Sequence, residues 1–469
     1  MTKASYFAVL VLLIVPVATP ALAAGLNDPF STAARVTPSP EDAGICGSSI
    51  EGRELTLPDV VEISLCNNPR TRAAWTSARS FAAQLGASQS SLLPELSLRG
   101  SASHDAAVST PVHTVTNRQS ASLSLSYLLF DFGGRRSGID NARELLAAAN
   151  ASSNAALQSI FLDAVRAYFS LMSARASEEA SRASEASARE SLDAAEARYQ
   201  AGVVTLADRL QARTALSQAV LDRVRAEGER YNALGTLTNA MGVEPTTTLS
   251  FATPAPAQPD PELENDVGRL ISEAQQRRPD LAAAEARIRA AEADIAATRA
   301  SGMPQLSLDA VASTGRSKLA GDDITTTRDG SIALNLNFPI FSGFGTAYRT
   351  RAAEAELENS IASRDQLAQE VALQVWKAYQ NLRTEGQSLR TAEDFLASAG
   401  ESEALNRGRY REGVGTILEL LSAQNALASA RQQHVTALYN WHTARFALAQ
   451  AIGALDLTVL QQQALRTEQ

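Results

Sequence analysis

The sequence predicts a mainly α-helical chain that also carries membrane β-structure. Three observations carry this. A proline-free stretch from 135 to 200 keeps helical periodicity. At 1.5 Å per residue it spans roughly 95 Å, a length that suits a coiled-coil rod or tube and not a globular domain. Each half of the chain also holds two stretches of about ten residues with the alternation of barrel strands. Finally, the whole plan is written twice, at an offset of roughly 210 residues.

The chain opens MTKASYFAVLVLLIVPVATPALAAG. Lys3 is a short basic start, Tyr6 to Val17 an apolar stretch, and Ala21-Leu22-Ala23 a small-x-small cleavage site, so 1–23 reads as a secretory signal peptide. An N-terminal membrane anchor is the alternative, but the apolar run is short and ends in Pro16 and Pro20. No Cys follows the cleavage site to take a lipid, and no later run is long and apolar enough for a transmembrane helix. Residues 24–54 are expected to be an N-terminal extended segment. Cys46 and Cys66, in an oxidising compartment, are expected to form a disulfide pinning that segment to the first helix. Two unrelated buried thiols are the other reading.

The net charge is −9 and there is no basic patch, which argues against nucleic acid. Lys occurs only at positions 3, 318 and 377. His434 and His442 lie on one helix with no carboxylate or Cys between them and read as packing or surface residues. No phosphate-binding loop and no nucleophile motif is present, so neither catalysis nor a cofactor is expected.

The first copy occupies 55–245. Residues 57–89 are Ala-rich with apolar residues at helical spacing, and Pro94 stops that pattern. Strands follow at roughly 95–105 and 119–130, where Leu96 and Leu98 alternate with polar residues and Leu123, Leu125 and Tyr127 alternate with serines. HDAAVSTPVHTVTN between them reads as a loop. Beyond Arg135, Leu157, Phe161, Ala164, Tyr168 and Leu171 share one helix face, and Glu178–Arg182 and Glu185–Arg189 are i,i+4 pairs. A flexible low-complexity segment is the alternative, which the spacing and the charge pairing oppose. Residues 246–266 are a linker containing Pro254, Pro256, Pro259 and Pro261. The second copy occupies 267–453, and the tail 454–469 is uninformative. Pro69 answers Pro279, Pro94 answers Pro304, and Phe130 answers Phe341.

The clearest match is RYQAGVVTLAD at 198 against RYREGVGTILE at 409. Gly202 and Gly413 can take the left-handed conformation that closes a helix. Thr205 and Thr416 can then cap the next helices, with Asp208 and Glu419 completing Thr-x-x-acid capping boxes. Each phrase is expected to be a tight turn between antiparallel helices, with second helices at about 205–242 and 416–452.

Four strands cannot close a barrel, and open sheet edges cannot sit in lipid. Other copies of the chain must complete it: two give eight strands and three give twelve. The helices then lie on the periplasmic side, and loops 106–118 and 316–328 face outside. A periplasmic coiled-coil adaptor or structural rod would explain the helices but not the strands. A monomeric porin would need more strands than one chain holds.

Taken together, the signal peptide, the twofold repeat, the Pro-x-Leu-x-Leu strand starts, the Leu-Phe-Asp-x-Gly-Gly strand end and the Tyr-x-x-Gly-x-x-Thr turns resemble the TolC-like outer membrane factor family over about residues 55–453. CNNPRTRAAW at 66 is similar to its toxin-secretion branch. The resemblance implies a homotrimeric 12-stranded outer-membrane β-barrel continuous with a long α-helical periplasmic barrel. It also implies an exit channel for type I protein secretion or multidrug efflux, working with a periplasmic adaptor and an ABC or proton-driven inner-membrane pump. In that family the helix turns close the tunnel at the periplasmic tip, and an acid of the first turn bonds a Tyr and an Arg of the second. Asp208 and Tyr410 match the acid and the Tyr, whereas the Arg position falls on Gly415, leaving Arg409 or Arg411 as substitutes. Glu419 matches the first of two acidic rings, and the second falls on Ser422. A capping role alone also explains Asp208 and Glu419.

Overall fold

The computed structural model describes residues 28–47, 54–109, 112–253, 266–319 and 323–455. The expected signal peptide, most of the linker and nearly all of the tail lie outside the described residues. The two halves of the chain repeat helix for helix. The first has α1 (Leu57–Asn67), α2 (Pro69–Ser90), α3 (Gly134–Gln200) and α4 (Leu206–Ala240). The second has α5 (Val267–Arg277), α6 (Pro279–Ala300), α7 (Gly345–Arg411) and α8 (Ile417–Ala451). Lengths are 11, 22, 67 and 35 residues in both. No described helix is long and apolar enough to cross a membrane.

One correction concerns the start of each copy. The single helix expected over 57–89 is two, broken at Asn68 and again at Arg278. Proline sits at the first position of α2 and α6, where its missing N–H costs nothing. The residue before it is pushed to extended backbone, with ψ of 125° at Asn68 and 123° at Arg278. A second correction concerns the loops. The strands are β2 (Glu95–Ser109), β3 (Val112–Phe130), β5 (Gln305–Leu319) and β6 (Thr325–Asn337). Much of 106–118 and 316–328 is therefore paired strand, from Ala106↔Val115 to Ser109↔Val112 and including Ser317↔Thr325. Side-chain polarity marks where alternation in hydropathy fades, but the backbone ladder continues through it.

The chain forms two compact units that cut across the two repeats. The unit of 77–147 and 286–360 holds a four-stranded antiparallel sheet in the order β2-β3-β5-β6. Register sorts the side chains. Leu96, Leu125, Ala310 and Ile332 stand in one row, as do Leu98, Leu123 and Ala312. Alternate rows are polar, with Ser97 bonded to Ser124 at 2.7 Å and Asp309 taking bonds from Ser126, Ser307 and Asn335. Leu98 is 77% exposed and Ile332 80%. In the same unit Ala82, Leu85, Ile139, Ala142 and Leu146 form a small core. The LFDFGG phrase turns β3 into α3: Phe132 and Gly133 have φ of 53° and 89°, and Asp131 accepts from the backbone N–H of Arg135 at 2.7 Å. Asp131 thereby satisfies an orphan donor at the start of the 67-residue helix.

The unit of 38–76, 148–285 and 361–455 is helical. Its largest core gathers Val60, Val61, Ile160, Val165, Tyr168 and Leu171 with Leu237, Met241 and Phe446. A second, around Val371, Val375, Leu389 and Trp441, belongs to the later copy. The C-terminus of each 35-residue helix abuts the proline break of the preceding pair. Asn68 donates to the Ala240 carbonyl at 3.0 Å and Arg278 to that of Ala451 at 3.3 Å. Gly242 closes so near Asn67 that an added Cβ would lie 2.7 Å from its carbonyl oxygen. Two short strands that the sequence did not announce, β1 (Glu54–Leu55) and β4 (Ser250–Phe251), pair in parallel, tying the extended segment to the start of the linker. Cys46 and Cys66 are joined in a disulfide with Cα atoms 5.9 Å apart.

Candidate functional site

The repeated phrase builds two turns of the same design. Gly202 has φ of 74° and Gly413 of 80°. The N–H of the following valine reaches back to the carbonyl of the phrase's arginine, Val203 to Arg198 and Val414 to Arg409, both at 3.0 Å. That pattern satisfies helix carbonyls which would otherwise be orphaned. Both capping boxes are formed. The backbone N–H and hydroxyl of Thr205 donate to Asp208 at 2.9 and 2.8 Å. The backbone N–H of Thr416 donates to Glu419 at 3.0 Å, and the N–H of Glu419 returns to the Thr416 hydroxyl at 3.3 Å.

Glu419 is solvent-exposed, and its carboxyl is held below the usual carboxylate range, first by the Thr416 N–H and then by Arg409, 4.0 Å away. It therefore stays ionised through neutral pH. Tyr410 is the contrary case. Its side chain is buried, 3% exposed, in a cluster with Ala195, Ala212, Ile417, Leu420 and Leu421. Its hydroxyl has no hydrogen-bond partner among the described residues. Burial pushes its pKa up; the adjacent Arg198 guanidinium opposes that and the charge of Asp208 adds to it. Asp208 and Tyr410 are thus brought near each other without bonding.

The turns are fastened by arginines, one of which, Arg411, is a substitute that the family resemblance left open. The Arg198 guanidinium stacks over the Tyr410 ring, 4.4 Å from its centroid, and donates to the carbonyls of Tyr410 and Arg411. Arg411 bonds Glu190. Arg209 stacks over Tyr199 at 4.7 Å. Arg198 had a signal in the sequence, as the first letter of the repeated phrase. Arg411 has no counterpart in the repeat, where the first copy has Gln200, and was a candidate only through the family resemblance. Gly415 has a local cause: an added Cβ would lie 3.1 Å from the Arg409 Cβ and 3.2 Å from backbone that cannot give. The chain closes tightly there, and Arg409 turns to Glu419 while Arg411 turns to Glu190.

Elsewhere along the helical unit two glutamates are each held between two arginines. Glu178, buried, is held between Arg182 and Arg230 at 2.5 and 2.6 Å, and Glu185 between Arg189 and Arg223 at 2.8 and 2.6 Å. His442 is buried and stacks on Phe169 at 5.0 Å; burial, then Arg445, lowers its pKa to about 4.

The family model described as outer membrane efflux protein matches residues 60–243 and 270–454, one stretch per copy. Protein CyaE of Bordetella pertussis is 30% identical over 412 residues, covering 87% of this chain and 86% of that protein. Alkaline protease secretion protein AprF of Pseudomonas aeruginosa is 28% identical over 347 residues, covering 72% of this chain and 70% of that one. Among solved structures, the outer-membrane channel OprN superposes with a TM-score of 0.74 at 24% identity, covering 85% of this chain and 90% of that one.

Proposed function

The chain belongs to the outer membrane efflux protein family, and from this premise we propose that three copies complete one barrel and form a passive exit duct across the outer membrane. The observation that carries the reading is the sheet. It has four strands, one apolar face and two unpaired edges at β2 and β6. Lipid cannot satisfy an open edge, so the edges pair with those of neighbouring copies. Three copies give twelve strands, with the helices as the periplasmic portion.

The energy for export comes from an inner-membrane pump coupled through a periplasmic adaptor. The paired turns close the duct at the periplasmic tip. Asp208 and Tyr410 belong to that closure, and three copies of Glu419 set an acidic ring inside it, a common selectivity device in cation-passing pores. Protein is the proposed cargo. AprF, named for alkaline protease secretion, supports that choice.

The test is the mass of the protein extracted from outer membranes in mild detergent, corrected for bound detergent. Three mature chains are expected, each lighter than the 49.7 kDa of the full sequence by its signal peptide. A monomer, or recovery with the inner membrane, would return the chain to the adaptor reading. For the cargo, deletion of the gene is expected to remove a protein from the culture medium. A strain that instead becomes sensitive to small toxic compounds, with its secreted proteins unchanged, is a drug-efflux strain.

A further inference from the structure

The sheet sorts its charges by face. All four acids within its strands, Glu95, Asp105, Asp309 and Asp329, fall in the polar rows. Arg99 and Arg118 join them there. Arg316, Lys318 and Arg328 fall instead in the rows of the leucines, with no acid among them. All three are exposed. The connection between β5 and β6 carries Asp322 and Asp323 in sequence, and Asp323 lies before β6 and outside the ladder.

Their depth is also specific. The apolar rows begin with Leu306 and Leu336 beside Phe130, and extend to Leu98, Leu123 and Ala312. Arg316 stands ten residues beyond Leu306, about 34 Å along the strand. At a tilt of about 40° this is roughly 26 Å along the membrane normal, against an apolar band of about 25 Å in barrels of this kind. Arg328, opposite Thr314, lies just short of that boundary and Lys318 just past it. Long cationic side chains at this level carry their heads to the headgroup layer. The two ends of the band differ. The ends joined to helices carry exposed aromatics, among them Phe130, Phe338, Phe341 and Phe344, whereas the hairpin ends carry the cations.

We propose that Arg316, Lys318 and Arg328 form a docking patch for the phosphate groups of the outer-leaflet lipid. Within the described strands no acid shares that face, and a cation at that level on a lipid-facing surface stands beside anionic headgroups. Arg316 and Lys318 are two apart on β5, and Arg328 is diagonal to Arg316 on β6, close enough for one phosphorylated headgroup to engage more than one of them. The patch adjoins β6, the edge at which the next copy meets the sheet, so a bound lipid also bridges toward that seam. This rests on the reading above that the leucine rows face lipid.

The test uses the full-length protein in mild detergent and bisphosphorylated lipid A as probe, with the bound fraction read by mass spectrometry of the intact assembly. Arg316→Gln/Lys318→Gln/Arg328→Gln is expected to weaken binding about a hundredfold, at roughly fivefold per cation. Arg99→Gln/Arg118→Gln, which removes charge from the opposite face, is expected to leave it unchanged. Lipid A without its phosphates is expected to bind like the triple variant, and millimolar inorganic phosphate is expected not to compete. Equal loss in both variants, no loss in the triple variant, or full displacement by inorganic phosphate overturns the proposal. The mass of the assembly, read in the same spectra, separates this failure from failure of the trimeric barrel.

Discussion

At the scale of single residues, the paired turns combine satisfied and unsatisfied groups. Asp208 and Glu419 are engaged by the caps of their own helices, whereas the buried hydroxyl of Tyr410 has no partner among the described residues. A buried unpaired hydroxyl costs stability, and removing it recovers that cost. Tyr410→Phe is therefore expected to raise stability by about 1 kcal/mol per chain in thermal or denaturant unfolding. Lower stability would mean that the hydroxyl is bonded in the assembled protein. His442 gives a prediction in pH. Its folded-state pKa of about 4 lies below the ordinary 6.5, so the unfolded chain binds the extra proton. Its contribution is complete above pH 6.5 and is lost as pH falls through 4, amounting to about 3 kcal/mol. The unfolding midpoint should fall over that window, and His442→Phe, which keeps a ring against Phe169, should flatten the fall. Local motifs were readable at this scale: the caps and the left-handed glycines follow from neighbours in sequence. The Arg198–Tyr410 stack was not, because its partners are 212 residues apart and meet only when the two copies pack.

Individual elements are governed by their ends. Each 67-residue helix stops at a glycine and restarts at a threonine three residues later. Gly413→Ala must place a Cβ in left-handed backbone and is expected to cost about 1–2 kcal/mol. Thr416→Ala removes the N-cap and is expected to cost about 1 kcal/mol. Both are measured by chemical denaturation. Equal stability to the parent would show that the turn is held by its neighbours and not by its own caps. Helix lengths and strand starts were legible from period and proline. The break between α1 and α2 was not, since a proline at the first helical position leaves the apolar spacing on either side undisturbed. The outer halves of the strands were hidden for a related reason: a ladder needs backbone geometry, while the readable signal was hydropathy.

For the whole molecule, the prediction concerns the assembled channel. Glu419→Ala is expected to change single-channel conductance and weaken block by divalent cations, while the mass of the extracted assembly stays that of the parent. Unchanged conductance and block would leave Glu419 as a helix cap alone. The sequence by itself determined the duplication, the long helices, the barrel-length alternation and the two turns, because each is a local pattern of period, proline, glycine and capping residue. From these follows the expectation that one chain alone does not close a barrel. Tertiary structure decided how the copies share the work. It fused the hairpins of both repeats through β3 and β5 into one sheet, and it joined the turn ends of the long helices of both repeats through Arg198, Tyr410, Arg411 and Glu190. The two compact units therefore follow neither repeat. The physical reason is that neither copy can pair its own strand edges or cover its own apolar helix faces, so contacts between residues some 200 positions apart, absent from any local pattern, set the final arrangement.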